Sequence, residues 1–224
     1  MSQTIIVGYT TEGSTDRRFL ESIIERTFAY VGFECRKQIE IVAPVTFIKR
    51  GNGDTFPDQI IECASDAHEN GIMVFCVHVD ADAPNRNKVM ESKIVPLMLA
   101  VEKLTTVNTH CKNIVLVIPV RMTEAWMLAD KQLLKDEIGT DLADADLEID
   151  GAPERHANPK EVIEKAIRIA RATVALRRRR DLLIGELYQP IGQKLSIESL
   201  LRIPSYIEFT NSVRDAYRTL NYLA

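Results

Sequence analysis

The chain is poor in several features that would declare a function at once. It has only four cysteines in 224 residues, Cys35, Cys63, Cys76 and Cys111, far apart and without a CxxC pair. That argues against a disulfide framework or a cysteine zinc site and points to a reducing, cytoplasmic setting. No apolar run approaches the roughly 18 residues that cross a bilayer. The opening MSQTIIVGYTTEG lacks the basic start and long apolar stretch of a secretory signal. There is no excess of positive charge: the formal net charge is -4, so any nucleic-acid contact must be a local patch rather than a general coat. No GxxxxGK[ST] loop occurs, which excludes an ATPase of the usual P-loop kind. Internal repeats and low-complexity segments are missing as well.

The content that remains is that of an ordinary globular chain, with 46% apolar and 27% charged residues. This length supports one substantial core, or a core with a small annex. In the first half, strand-like and helix-like patterns alternate. Residues 5–9, 40–49, 72–79 and 113–118 read as strands, and 72–79, IMVFCVHV, has the composition of a strand covered on both faces. Between them, helices are expected from residue 14, where Ser14, Thr15 and Asp16 can cap, over 56–69 and over 88–104. Residues 50–54, RGNGD, read as a turn. This order implies an α/β fold with right-handed crossovers, a mostly parallel sheet and helices on both faces. The core is expected at 1–120. Residues 121–224 read as a helical extension on it: a helix over 122–134, an acidic loop over 136–150, a long helix from 159 to about 188, and two short helices within 196–222. Trp126 falls at core spacing in its helix.

The chemistry concentrates in carboxylates. Ligands of open parallel sheets gather beyond the carboxyl ends of the strands. Glu12, in TTEGSTD, follows the first strand there, and Asp80 and Asp82, in HVDADAP, follow the third. Alternate residues of extended chain face the same way, so both aspartates can point to one site with Ala81 turned away. Three converging carboxylates repel one another and raise each other's pKa unless a cation joins them. A hard divalent ion such as Mg²⁺ suits oxygen ligands at an open edge, and it can activate water and neutralise a phosphodiester. A haloacid-dehalogenase phosphatase would carry its nucleophilic aspartate near the first strand, and residues 5–15 contain none. His78 reads as buried or lining the site and not as a ligand, because no second histidine has ligand spacing to it. Four consecutive arginines, Arg177 to Arg180, span a full helical turn and cannot all face one partner. They read as a solvated face, or as a contact for nucleic acid or protein that Lys165, Arg168 and Arg171 would extend. Lys49 and Arg50, near the end of the second strand, lie on the edge that could touch substrate phosphate.

The pairing of TEGSTDRRFL with HVDADA resembles the Toprim domain of topoisomerases, primases and OLD-family nucleases. PVRMTEAWMLAD, the NPKEVIEKA helix start and SIESLLRIPSYIEFTNSVRD resemble domain-of-unknown-function family 4276, itself Toprim-like. The resemblance spans nearly the whole chain. It implies a Toprim-like sheet and a nuclease dependent on Mg²⁺ or Mn²⁺, acting on DNA or RNA, often beside an ATPase partner in bacterial defence against phage. A homodimer is one compatible assembly, and no membrane is involved. Carried over residue by residue, it makes Glu12, Asp80 and Asp82 core metal ligands, adds Asp16 and Glu124, and gives Lys160 the role of stabilising negative charge. Beside this, the charge pattern itself offers Lys49, Arg50, Arg177 and Arg178 as contacts to nucleic acid. Two alternatives stand beside this reading: a metal-binding subunit of an ATPase complex that does no chemistry, and a phosphohydrolase of small nucleotides. Priming would want zinc-binding cysteines and a polymerase-like domain. Topoisomerase action would want a strand-gating apparatus.

Overall fold

The computed structural model describes residues 2–49, 55–104, 109–172 and 181–224. Four strands form one parallel sheet: β1 (Gln3–Thr10), β2 (Ile39–Thr46), β3 (Val74–His78) and β4 (Ile114–Val117), in the order β2-β1-β3-β4. The fold is α/β with helices on both faces of this sheet, as the alternation of patterns implies. All five residues of β3 are buried, as expected for an interior parallel strand. The edge strand β2 alternates instead, and leaves Val42 and Val45 exposed. At its carboxyl end β3 aligns with both neighbours, Thr10 opposite Val77 and His78 opposite Val117. The turns after β1, β3 and β4 therefore open at one edge.

The first helix, α1 (Ser14–Gly32), buries Phe19, Leu20, Ile23, Ile24, Phe28 and Val31 against one sheet face. The opposite face is covered by α2 (Phe56–Glu69) and by the segment 87–103, where Ile60, Ala64 and Leu97 meet Phe75 and Val77. That segment is not one continuous α-helix. A short helix α3 (Asn87–Val89) passes into a π-helical stretch, Met90–Ile94, and then into α4 (Val95–Lys103).

The second half is more broken than its apolar periodicity suggests. The helix expected over 122–134 is two, α5 (Glu124–Met127) and α6 (Lys131–Ile138). Asp130 ends the first by capping the second, accepting the Leu133 N–H at 3.0 Å. The expected acidic loop therefore begins after α6, and it is not wholly solvated, since Leu147 and Ile149 are buried in the main core. The helix expected from 159 to about 188 is described as α7 (Pro159–Ala172). The chain is irregular at 181–183, and a separate α8 (Tyr188–Lys194) follows. Of the two closing helices, α9 (Ile197–Leu200) is short, but α10 (Pro204–Thr219) has 16 residues.

These helices pack on the same core as β1 and α1. Trp126 is fully buried, donates its indole N–H to Ser205 at 2.8 Å, and packs edge-on against Tyr206. The outer edge of β4 is closed by α10, whose Ser212 hydroxyl accepts the Leu116 N–H at 3.3 Å. A free strand edge is thereby satisfied, which removes a site of unwanted pairing. Arg26 of α1 reaches the end of α8 and donates to the carbonyls of Gly192 and Leu195, both at 2.6 Å. A cation on these last carbonyls also complements the helix dipole.

Candidate metal centre

The turn after β1 is shaped by its own side chains. The Thr11 hydroxyl donates to the Gly13 carbonyl at 2.9 Å, and Asp16, in the first turn of α1, accepts the Gly13 N–H at 3.0 Å. Asp16 thus does cap the helix, as its position suggests. It is also buried, and burial pushes its carboxyl above the usual carboxylate range, with the charge of Asp80 adding to the effect and His78 opposing it. A mere capping residue would normally face water, and this one faces inward.

Asp80 stands two residues past the end of β3. Its Oδ1 accepts three hydrogen bonds: from the Thr123 N–H at 3.0 Å, from the Thr123 hydroxyl at 3.3 Å and from His78 Nε2 at 3.2 Å. The Glu12 N–H points at His78 Nδ1 at 3.5 Å. Nε2 sits between Asp80 and Thr123, whose hydroxyl is 3.0 Å away. His78 is fully buried. One candidate ligand atom from each of Asp16, His78 and Asp80 lies within 4.8 Å of the others. With both ring nitrogens engaged, His78 orients Asp80, and the carboxylate oxygens of Asp16 and Asp80 are the donors that remain for an ion. Oxygens so placed suit a hard divalent cation better than a soft one.

Three further acids surround this group. Glu124, at the head of α5, is buried, and its Oε1 accepts a short hydrogen bond from the Tyr188 hydroxyl. Burial pushes Glu124 above its ordinary range, the Tyr188 bond pulls the other way, and the charges of Asp80 and Asp16 add to the rise. Asp82 is exposed, and burial of its carboxyl, then the charges of Asp80 and Glu12, raise it as well. Its backbone is left-handed, φ 50°, and so is that of its partner Arg121, φ 67°, whose carbonyl accepts the Asp82 N–H at 2.8 Å. Such backbone is costly for residues other than glycine and clusters at functional sites. The chain therefore leaves extended geometry at Asp82, although Ala81 is buried away from the site as alternation expects. Glu12 points to a cation of the protein itself, with its Oε1 2.9 Å from Lys93 Nζ.

Of the cations named from the sequence as contacts or charge-stabilising groups, Lys49 and Lys160 fall within the described residues. Lys49 is half-buried and lines a cleft of about 210 Å³ with Glu12, Gly13 and Arg17. Lys160 is exposed at the start of α7, on a separate groove of about 510 Å³ shared with Thr15 and Tyr188. Arg50, Arg177 and Arg178 lie outside the described residues. Of the supposed basic extension, Lys165 is paired with Glu148 and Arg171 donates to the Ile138 carbonyl at 3.1 Å, so neither is a free surface charge. Thr123, Tyr188 and Lys93 escape a reading of the sequence because each acquires its role through a partner at least 43 residues away. Among the described residues, no helix is long and apolar enough to cross a membrane. The chain matches no family model, no curated protein and no solved structure.

Proposed function

We propose that this chain is a metal-dependent nuclease of Toprim-like architecture, related to family 4276 and to the OLD-family nucleases, that hydrolyses phosphodiester bonds in DNA or RNA. The observation that carries this reading is the meeting of Asp16, in the first turn of α1, and Asp80, just past the adjacent parallel strand β3, in one largely buried group at the carboxyl edge of the sheet. Burying a carboxylate is unfavourable, and the raised pKa of Asp16 records chiefly that desolvation cost, with the nearby charge of Asp80 adding to it. A divalent cation removes it.

Asp16 and Asp80 would hold Mg²⁺ or Mn²⁺, and Glu12, Asp82 and Glu124, whose charges or raised pKa values are coupled to theirs, would contribute to the same acidic site. When bound, such an ion neutralises phosphate charge and makes water a stronger nucleophile. The chain's own residues supply the geometry. Thr123 and His78 hold Asp80 in one orientation, Gly13 does the same for Asp16, and Tyr188 for Glu124. Preorganised carboxylates spend little energy on rearrangement when substrate arrives. Lys160 and Lys49 flank the acidic edge on two sides and could meet substrate phosphates. With no P-loop of its own, any ATP dependence would come from a partner ATPase, as in the defence systems of similar nucleases.

The test is cleavage of plasmid, single-stranded DNA and bulk tRNA with Mg²⁺ or Mn²⁺, comparing the wild-type chain with Glu12→Gln and Asp80→Asn. Cutting that needs metal and is lost in both variants is the expected result. Cutting that survives both substitutions sinks the assignment of these acids. A chain that binds metal, joins an ATPase and never cuts would be the partner subunit instead.

A further inference from the structure

The acidic edge carries a lysine pair whose arrangement calls for an anion. Lys93 Nζ is 2.9 Å from Glu12 Oε1, and the two side chains are 35% and 31% exposed, so the pair sits at the surface of the site rather than in the core. The same ammonium stands 5.5 Å from the centre of the Phe56 ring. Lys49 Nζ, from the end of the β2 segment, stands 5.5 Å from the same ring centre. One aromatic ring thus gathers two cations beside the Glu12 carboxylate. Lys93 is presented by the π-helical stretch Met90–Ile94. A π turn is rarer and poorer in geometry than α-helix, and it occurs most often at functional sites. Lys49 also lines the cleft of about 210 Å³ that Glu12 and Arg17 border, a volume that admits a phosphate group.

Charge accounting identifies the occupant. Glu12 pairs directly with Lys93 alone. If a divalent ion takes Glu12 and its neighbouring acids, Lys93 loses that pairing and stands with Lys49 as two cations beside one ring. A phosphate oxygen is the acceptor whose charge and geometry match. Lysine suits such an exchange, because its ammonium turns freely on a flexible four-carbon stem.

We propose that Lys93 holds Glu12 as a place-keeping cation in the metal-free chain, and joins Lys49 on a phosphate of the nucleic-acid strand once a divalent cation occupies Glu12. This rests on the metal-dependent phosphodiesterase reading and adds to it a competition between lysine and metal for one carboxylate. Lys93 is here a substrate-binding residue.

The inference makes two effects of one substitution run in opposite directions, which a merely structural lysine would not do. Mn²⁺ binding is read by electron paramagnetic resonance of the free ion. Binding of fluorescent DNA and RNA oligonucleotides is read by anisotropy in Ca²⁺, for the wild-type chain, Lys93→Met and Lys93→Arg. Lys93→Met should bind Mn²⁺ about threefold to tenfold more tightly, as expected for removing one nearby charge from a half-exposed site. It should bind oligonucleotide about threefold to tenfold more weakly, with a salt slope shallower by about one. Lys93→Arg keeps the charge and should stay within about twofold of wild type on both measures. Equal or weaker Mn²⁺ binding by Lys93→Met, or unchanged oligonucleotide binding, overturns the inference and leaves the metal site standing. Failure of the wild-type chain to bind Mn²⁺ at all overturns the metal-site reading and this inference with it.

Discussion

The hydroxyl of Tyr188, at the start of α8, donates to the carboxylate of Glu124, at the head of α5. This contact joins the helical half of the chain to the acidic edge of the sheet, 64 residues apart in sequence. It keeps a buried carboxylate in place, and it ties α8, which packs in the same apolar core as α1, to the acidic edge.

The burial of Glu124 has a consequence for pH. Its folded pKa is raised, chiefly by burial, above the value in the unfolded chain. The folded state therefore binds more protons across that window, and the slope of unfolding free energy with pH is negative there. In EDTA, the contribution of Glu124 to stability should be full below the unfolded carboxylate range and be lost as pH rises through the folded pKa. Glu124→Gln keeps an acceptor for Tyr188 and removes the titration. Urea unfolding at several pH values should show a flatter profile for the variant, with stability at neutral pH equal to or above wild type. A variant that is less stable at neutral pH in EDTA would mean that the charge is already well compensated.

Thr123 bears on stability and on the ion together. Its N–H and hydroxyl both reach Asp80 Oδ1, and its hydroxyl also meets His78. Thr123→Val keeps the shape and removes the hydroxyl. The cost should be about 1–2 kcal/mol in chemical denaturation, typical of a buried hydrogen bond lost to one side. With Asp80 less firmly oriented, Mn²⁺ affinity should drop roughly tenfold, in the range seen when a group orienting a metal ligand is lost. Unchanged affinity by calorimetry would show that Asp80 needs no such support.

Metal itself should act on the fold. An ion that binds only the folded state raises stability by RT ln(1 + [L]/Kd), which is about 2.7 kcal/mol at a hundredfold excess over Kd. For the wild-type chain, Mn²⁺ should raise the thermal midpoint, and Asp16→Asn should lose most of that rise. In EDTA the same variant should be no less stable than wild type at neutral pH, because the Asp16 carboxyl is raised by burial and its charge is a liability without a cation. Differential scanning fluorimetry with and without Mn²⁺ reads both effects. An equal metal response in wild type and variant would remove Asp16 from the site.

Much of this arrangement is visible in the residues alone, and the reasons are physical. The strands could be read because β3 is buried throughout and almost uniformly apolar, and β1 carries the apolar run Ile5-Ile6-Val7 at its centre. Glu12 and Asp80 could be placed at one edge because parallel strands end on the same side. Asp16 looked like a cap, which it is, and only the fold shows that it is buried as well. The break between α5 and α6 could not be read, because Trp126, Met127, Leu134 and Ile138 continue an apolar pattern across it. Nor could Thr123, Tyr188 or Lys93, whose chemistry comes from partners brought in by the sheet order and by the packing of α8.

That packing gives a last prediction, remote from the acids. Gly192 of α8 crosses α1 so closely that a Cβ there would lie 2.5 Å from the Phe19 carbonyl oxygen and 3.0 Å from its Cα. Both obstacles are backbone, so the helices must part. Gly192→Ala would ordinarily gain helix propensity, by up to about 1 kcal/mol. Here the clash should win, and overpacking of this kind costs about 1–3 kcal/mol. The separation also pulls at Arg26, which donates to the Gly192 and Leu195 carbonyls, and at Tyr188 one turn earlier, and so loosens the hold on Glu124. The variant should unfold at lower urea than wild type and show a weaker stabilisation by Mn²⁺, although it touches no ligand. A variant as stable as wild type would show that α8 can slide on α1 at little cost, and would uncouple the annex from the metal centre.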